Sequence, residues 1–459
     1  MELMHRYTDE TEALSRAVVA YARNRIANPQ PLDGSASGEE LTRRAGETIT
    51  PEGLGGEEAM RIWAEVLAPA TISTDHPSSM AFVPSAPTKA SVLFDLVVGA
   101  SSTIAAGWID GAGAIWAENQ ALRWLADLAG FPGTAGGVFV SGGSAGNLSA
   151  LVAARAAAHA RLGERPASGW KVALAESAHS SIVTATRVMD VEVLRVEGDD
   201  RGRLTGAALH RAIAELPADQ ASSVFAAVAS AGATNAGTVD DLAGVAGVCE
   251  AGGLWMHVDG AYGGAGLAAP SVRGLYEGIE RADSFIVDPH KWLFAPYDCC
   301  ALLYREPRRA RGVFRQEASY LDTVNQDDAA WSEWNPADFA YHLTRRARGL
   351  PFWFSLATYG TDAYREAVER VLQLTTDAAD EIRRRDDLEL VTEPDLSVIL
   401  FRRRGWTEAD YEAWWRRILE AQIAFVQPTS WHGEKVARLC FVNPRTTMDH
   451  VLAVLGTMG

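Results

Sequence analysis

The sequence predicts an open α/β sheet of buried strands, flanked by helices, with its chemistry gathered along one edge. Three observations carry that prediction. Short apolar runs around Val138–Val140, Ala173–Ala175, Val224–Ser230, Leu254–Val258 and Ser284–Val287 alternate with stretches of helical character. Each run ends on glycine, polar or charged residues, as strands do when their carboxyl ends line a ligand crevice. The chain has 459 residues, 47% of them hydrophobic, enough to bury one large core with one or two smaller units beside it.

Composition narrows the function classes. A net charge of −17 without a basic tail argues against nucleic acid or an anionic membrane as partner. The four cysteines form no CxxC pair and no disulfide-like framework, so neither a metal site nor an oxidising compartment is expected. The N-terminus lacks the apolar core of a signal peptide, and no uncharged apolar run approaches membrane-spanning length. The expectation is a cytoplasmic protein.

Taken in order, Asp9 to Ile26 has helical spacing, with Leu14, Val18, Val19 and Tyr21 among polar positions. A Pro- and Gly-rich linker follows, and Glu57 to Leu67 reads as a second helix. His76 to Ser85 is irregular and rich in turn residues. Val138 to Ser141 is a strand running through Gly142-Gly143-Ser144-Ala145-Gly146-Asn147 into an alanine-rich helix, Leu148 to Arg161. Backbone N–H groups at that helix start, with the Ser144 hydroxyl, would form an anion site; a tight turn with no ligand is the plainer alternative. The same residues satisfy G-x-S-x-G, the nucleophile elbow of α/β-hydrolase esterases, with Asp259 and His290 cast beside Ser144. That remote reading lacks an upstream oxyanion loop and leaves Lys291 without a role.

The strand Ala173–Ala175 delivers His179, and Val224–Ser230 closes on a turn carrying Thr234. A helix over Val239 to Gly252 leads to the strand that ends on Asp259, followed by Gly260 and Ala261. A carboxylate there, with small residues that admit a flat ring, suits a pyridinium cofactor, whose nitrogen it would keep protonated. An Asp that merely caps the next turn is the simpler account. Ser284–Val287 stops at Pro289, and the turn beyond presents Lys291 between His290 and Trp292. Burial there is expected to lower the amine's pKa, and a neutral amine condenses with an aldehyde. Further strands are expected at Cys299–Tyr304, Leu396–Phe401 and Ala437–Val442, with helices over Leu350–Leu374 and Glu408–Gln422.

His257-Val258-Asp259-Gly260-Ala261-Tyr262 followed by Asp288-Pro289-His290-Lys291-Trp292 resembles the group II pyridoxal-phosphate-dependent amino-acid decarboxylases, loosely from about His76 to the C-terminus. The resemblance implies the fold type I architecture of PLP-dependent transferases. Its parts would be an N-terminal helical dimerisation arm over residues 1–75, a large domain with a mixed, mostly parallel sheet over 76–350, and a small α+β domain over 351–459. It implies a homodimer and pyridoxal 5'-phosphate (PLP) on Lys291. Asp259 would face the ring nitrogen, His179 and Ala261 the two ring faces, Thr234 the ring's edge, and Gly143, Ser144 and His290 the rest of the cofactor. Catalysis would fall to Lys291, His179 and Asp259. Phe82, Val83, Pro84 and Ser85 would line the substrate pocket, joined by Ala106 and Trp108 from the other subunit. Ala106 stands where aromatic-acid decarboxylases carry a large ring.

The implied reaction is decarboxylation of an L-α-amino acid, with an aromatic substrate as first guess. One departure is visible. Where the family's loop carries a tyrosine that reprotonates the α-carbon, Trp331, Trp334 and Pro336 occupy the neighbourhood. Protonation by His179 or by another tyrosine is one consequence, and oxidative decarboxylation to an aldehyde is another. An aminotransferase, which would need an arginine on the substrate carboxylate, and a non-catalytic cofactor binder are the remaining alternatives.

Overall fold

A computed structural model of the chain describes residues 3–315 and 333–459. The large sheet has seven strands: β1 (Gly136–Val140), β2 (Lys171–Ala175), β3 (Glu192–Val196), β4 (Val224–Ser230), β5 (Trp255–Asp259), β6 (Ser284–Val287) and β7 (Cys300–Tyr304). Their order is β1-β7-β6-β5-β4-β2-β3. Only β7 runs against its neighbours β1 and β6. Every residue of β1, β2, β4, β5, β6 and β7 is buried, which is why these strands read as continuous apolar runs. β3, at one edge, is exposed at Glu192 and Arg195, and a strand of such mixed polarity is not apparent from an apolar run.

Period-two alternation divides the core. On β5, Met256 and Val258 face one apolar layer with Phe285 and Val287 of β6, while Trp255 and Ile286 face the other. Helices Trp108–Leu128 and Leu242–Gly252 cover the first face, and Gly143–Leu162 covers the second. This last helix lies close to the sheet. A Cβ at Gly146 would stand 2.9 Å from Ile286 Cγ2 and 3.3 Å from Cys300 Sγ, so a larger residue would push the helix outward.

The helix Leu350–Arg384, broken at Gly360 (φ 77°), leads to a four-stranded antiparallel sheet. That sheet comprises β8 (Leu388–Leu390), β9 (Val398–Arg403), β10 (Thr429–Trp431) and β11 (Glu434–Cys440), in the order β10-β11-β9-β8. The helix runs past Leu374 because Ala378, Ala379 and Ile382 continue its buried stripe. By contrast, the N-terminal helix Asp9–Ala27, capped by Thr8, buries none of its residues. All four cysteines are free and buried. Among the described residues, no helix is long and apolar enough to cross a membrane.

Gly137 pairs with Leu303 in the β1–β7 ladder, and a Cβ at Gly137 would overlap the Leu302 carbonyl oxygen. Gly137→Ala is therefore expected to cost about 1–3 kcal/mol. The check is a lower midpoint in urea unfolding at unchanged slope.

Candidate active site

The turns after β1, β2, β4, β5 and β6 emerge on the same side of the large sheet and carry Gly143 and Ser144, His179, Thr234, Asp259 with Ala261, and Lys291 respectively. Lys291 is mostly buried, and its Nζ lies 2.8 Å from Asp288 Oδ2. Burial alone would lower the amine's pKa. The Asp288 charge and hydrogen bond, with the Asp259 charge behind them, outweigh it and raise the pKa. The expectation of a lowered lysine pKa is thus corrected: the turn that delivers the amine also delivers its counter-ion. Burial likewise works against the Asp288 carboxylate, but the Lys291 and His290 charges hold its pKa below the usual range. Asp288 Oδ1 is buried and has no hydrogen-bond partner among the described residues. His290 is buried beside the pair, its Nε2 3.7 Å from Asp288 Oδ2 and its Nδ1 against the Cys299 backbone, 2.7 Å from the carbonyl oxygen and 3.1 Å from the nitrogen. Burial lowers the His290 pKa.

Asp259 is buried at the end of β5. Its Oδ2 accepts from Asn147 Nδ2 at 2.9 Å and its Oδ1 from the Ala261 N–H at 3.1 Å. His179 caps the helix Ser180–Val188, and its Nδ1 accepts from the Ser181 N–H at 3.2 Å. Ser144 is exposed on the first turn of the helix Gly143–Leu162. With Asp259 held by Asn147 and His290 by Cys299, no Ser-His-Asp triad assembles around Ser144, so the esterase reading has no geometric basis.

Thr234 and Phe82 belong to loops joined by a residue the sequence reading passed over. Arg438 of β11 donates from Nη2 to Thr234 O (2.7 Å), from Nη1 to Phe82 O (2.8 Å) and from Nε to Asn235 O (3.1 Å). A buried guanidinium inside an apolar strand was the available signal. Phe82 itself is exposed, in a left-handed backbone conformation (φ 54°), with its ring edge-on to Phe425. Val83 packs on the main core, Pro84 is buried, and Ser85 Oγ donates to Ala295 O at 3.0 Å. Ala106 is buried, its carbonyl accepting from Ala337 N at 3.1 Å. Trp108 packs in a separate apolar cluster with Val98, Ala105 and Ile115. Of the segment where a protonating tyrosine was sought, Trp331 lies outside the described residues. Trp334 packs edge-on to Phe339, and Pro336 opens a short turn.

A sequence profile described as the pyridoxal-dependent decarboxylase conserved domain matches residues 56–404. The chain belongs to this family. An aromatic-L-amino-acid decarboxylase of Bacillus atrophaeus is 30% identical over 436 residues, 93% of this chain and 89% of the relative. An L-2,4-diaminobutyrate decarboxylase of Rhizobium meliloti is 32% identical over 393 residues, 84% of this chain and 77% of that one. The crystal structure of Oryza sativa TDC with PLP and tryptamine superposes with a TM-score of 0.89, covering 98% of both chains at 24% identity. This pyridoxal-dependent decarboxylase therefore has the fold type I architecture and acts on an amino acid with PLP.

The residues present suit such a cofactor. A buried amine could condense with its aldehyde, and a carboxylate held in place by two donors could pair with its ring nitrogen. The helix start at Gly143 offers N–H groups without intrahelical partners. A Cβ at Gly143 would lie 3.3 Å from both Ala261 Cβ and Asp288 Oδ2, so only glycine leaves that cradle open.

Two predictions follow from this geometry. Only the unprotonated amine condenses with an aldehyde, so with Lys291 as the amine that takes PLP, its raised pKa should slow uptake by the apoprotein at neutral pH and let it quicken as pH rises. Asp288→Asn should move the midpoint of that rate profile to lower pH, followed by visible absorbance. Arg438→Met should leave three carbonyls without their donor and destabilise the fold by about 3 kcal/mol or more in urea unfolding.

Proposed function

We propose that this decarboxylase takes an L-α-amino acid with an aromatic side chain and releases the amine and carbon dioxide. The observation that carries the reading is the meeting of Lys291 and Asp259 at the ends of adjacent strands, close enough for the Asp259 charge to raise the amine's pKa. Bound PLP supplies an electron sink for the pair left on the α-carbon when the carboxylate departs. Lys291 would hold the cofactor through its aldehyde. Asp259 would retain the proton on the ring nitrogen, stabilising charge where it develops. Gly143 and Ser144 would take the phosphate at the helix start, Thr234 would contact the ring's edge, and His290 lies beside Lys291. His179 and Ala261 would face the ring from opposite sides, with His179 toward the substrate's carboxylate.

For the substrate, Phe82, Val83, Pro84 and Ser85 form one wall, with Ala106 and Trp108 of a second subunit opposite. None of these side chains offers a charge to a second ammonium group, which favours an aromatic substrate over 2,4-diaminobutyrate. The relative from Bacillus atrophaeus, named for aromatic amino acids, supports the same choice.

A homodimer is part of the proposal. No residue of the helix Asp9–Ala27 is fully buried on its own chain, and Leu93, Leu96, Ile109 and Trp116 are each more than half exposed. A 1–75 arm, a 76–350 cofactor domain and a 351–459 small domain remain the proposed division, and free, buried cysteines suit the cytoplasm. Aldehyde formation is the second reading, favoured by Trp331, Trp334 and Pro336 where the family's tyrosine is expected.

A panel of amino acids assayed for carbon dioxide release, with oxygen uptake followed in parallel, tests both readings. The expected outcome is release from aromatic substrates without oxygen consumption; a preference for 2,4-diaminobutyrate contradicts the substrate assignment. Lys291→Ala should abolish turnover while leaving the fold intact by circular dichroism, and substantial remaining turnover contradicts the role given to that lysine.

A further inference from the structure

Trp255, His257 and Asp259 share one face of β5, and Ser284 pairs with His257 across the β5–β6 ladder. Between that face and the helix Gly143–Leu162 runs a buried chain of side-chain hydrogen bonds that none of the catalytic steps above uses. Its hydrogens can be assigned from donor and acceptor chemistry. The Asp259 carboxylate only accepts, so the amide nitrogen of Asn147 must face it, at 2.9 Å. The second amide hydrogen points to Ser181 Oγ at 3.0 Å. Asn147 Oδ1 only accepts, so His257 Nε2, 2.8 Å away, carries a hydrogen.

Burial pushes the His257 pKa down to about 4, so near neutral pH the ring carries that one hydrogen alone. His257 Nδ1 then accepts from the Ser284 hydroxyl at 2.8 Å, and the Ser284 oxygen accepts from Trp255 Nε1 at 2.8 Å. On the other branch, the Ser181 N–H donates to His179 Nδ1, which therefore bears no hydrogen. The Ser181 hydroxyl, already accepting from Asn147, donates to the same nitrogen at 2.8 Å. The remaining hydrogen of His179 sits on Nε2.

We propose that Asn147 and His257 are positioning residues: His257 fixes the orientation of the Asn147 amide, which donates to Asp259 and, through Ser181, holds His179 with its hydrogen on Nε2. This rests on the reading of Asp259 and His179 as cofactor contacts. The two ends of an amide are nearly equal in size, so packing does not choose between them. The Asp259 acceptor and the His257 donor do, one at each end. With the donor removed, Asn147 Oδ1 is buried without a partner and the amide is held at its nitrogen end alone. Its hydrogen bonds to Asp259 and Ser181 then weaken, and the Ser181 hydroxyl holds His179 Nδ1 less firmly. Asn147, His257 and Ser284 are buried to 1% exposure or less, so water does not replace a lost partner.

The test uses the holoenzyme with 15N-labelled histidine, the His179 signals being assigned by their loss in His179→Gln. In the wild type, both His179 and His257 should show hydrogen on Nε2 and none on Nδ1; the opposite tautomer at either ring overturns the proposal without any variant. His257→Phe should move the His179 Nδ1 resonance toward that of a weakly bonded acceptor nitrogen. It should also raise the PLP dissociation constant about tenfold or more, the weight of one hydrogen bond to a charged group. His257→Gln can still donate to Asn147 Oδ1 and should restore both quantities to within about threefold of wild type, well inside that shift. Equal losses in the two variants would assign His257 a shape-filling role and overturn the proposal. If Asp259→Asn binds PLP as tightly as wild type, it is the cofactor-site reading that fails, and the two tautomers still report separately on the amide.

Discussion

An ammonium group can be buried at the end of β6 only because Asp288 is buried with it, three residues earlier on the same turn. Alone, each charge would lose its hydration with nothing in return; together they offset that loss. The pairing has a chemical side effect. It keeps the amine protonated more firmly than burial alone would. The geometry of that turn is in turn imposed by the ladders on either side: β6 is held in parallel register by β5 and in antiparallel register by β7.

The sheet explains why acid and amine meet. Strands running the same way expose their carboxyl ends together, and β5 and β6 are neighbours although Asp259 and Lys291 are far apart in the chain. The pleat supplies the next constraint. Asp259, His257 and Trp255 point to one face, so a polar row crosses what would otherwise be an apolar layer. That row is tolerated because each of its members has a partner, with Asn147 on the covering helix closing it. Gly146 on the same helix permits the approach that brings Asn147 within reach.

Much of this was legible in the chain itself. The bounds of β4 and β6 coincide with their apolar runs, because buried parallel strands are apolar on both faces. The strand-end positions of His179, Asp259 and Lys291 could be read from where those runs stop. Relations between distant segments could not. Asn147 meets Asp259 across 112 positions and Arg438 meets Thr234 across 204, and no local pattern in either stretch announces the partner. The lysine's ionisation was misjudged for a related reason: Trp292 and Leu293 argued for an apolar pocket, and the spacing to Asp288 was not weighed against them. β3 is not marked by an apolar run, because only Val196 of its residues is fully buried and Glu192 and Arg195 are exposed.

Arg438 ties the small sheet to two loops of the large one through backbone carbonyls, not side chains. A clamp of that kind is indifferent to the identity of the residues it holds. The main-chain path at Phe82 is thereby decoupled from whatever group projects from it, so new substrate preferences can arise in this scaffold by exchanging single side chains, without redrawing the loop.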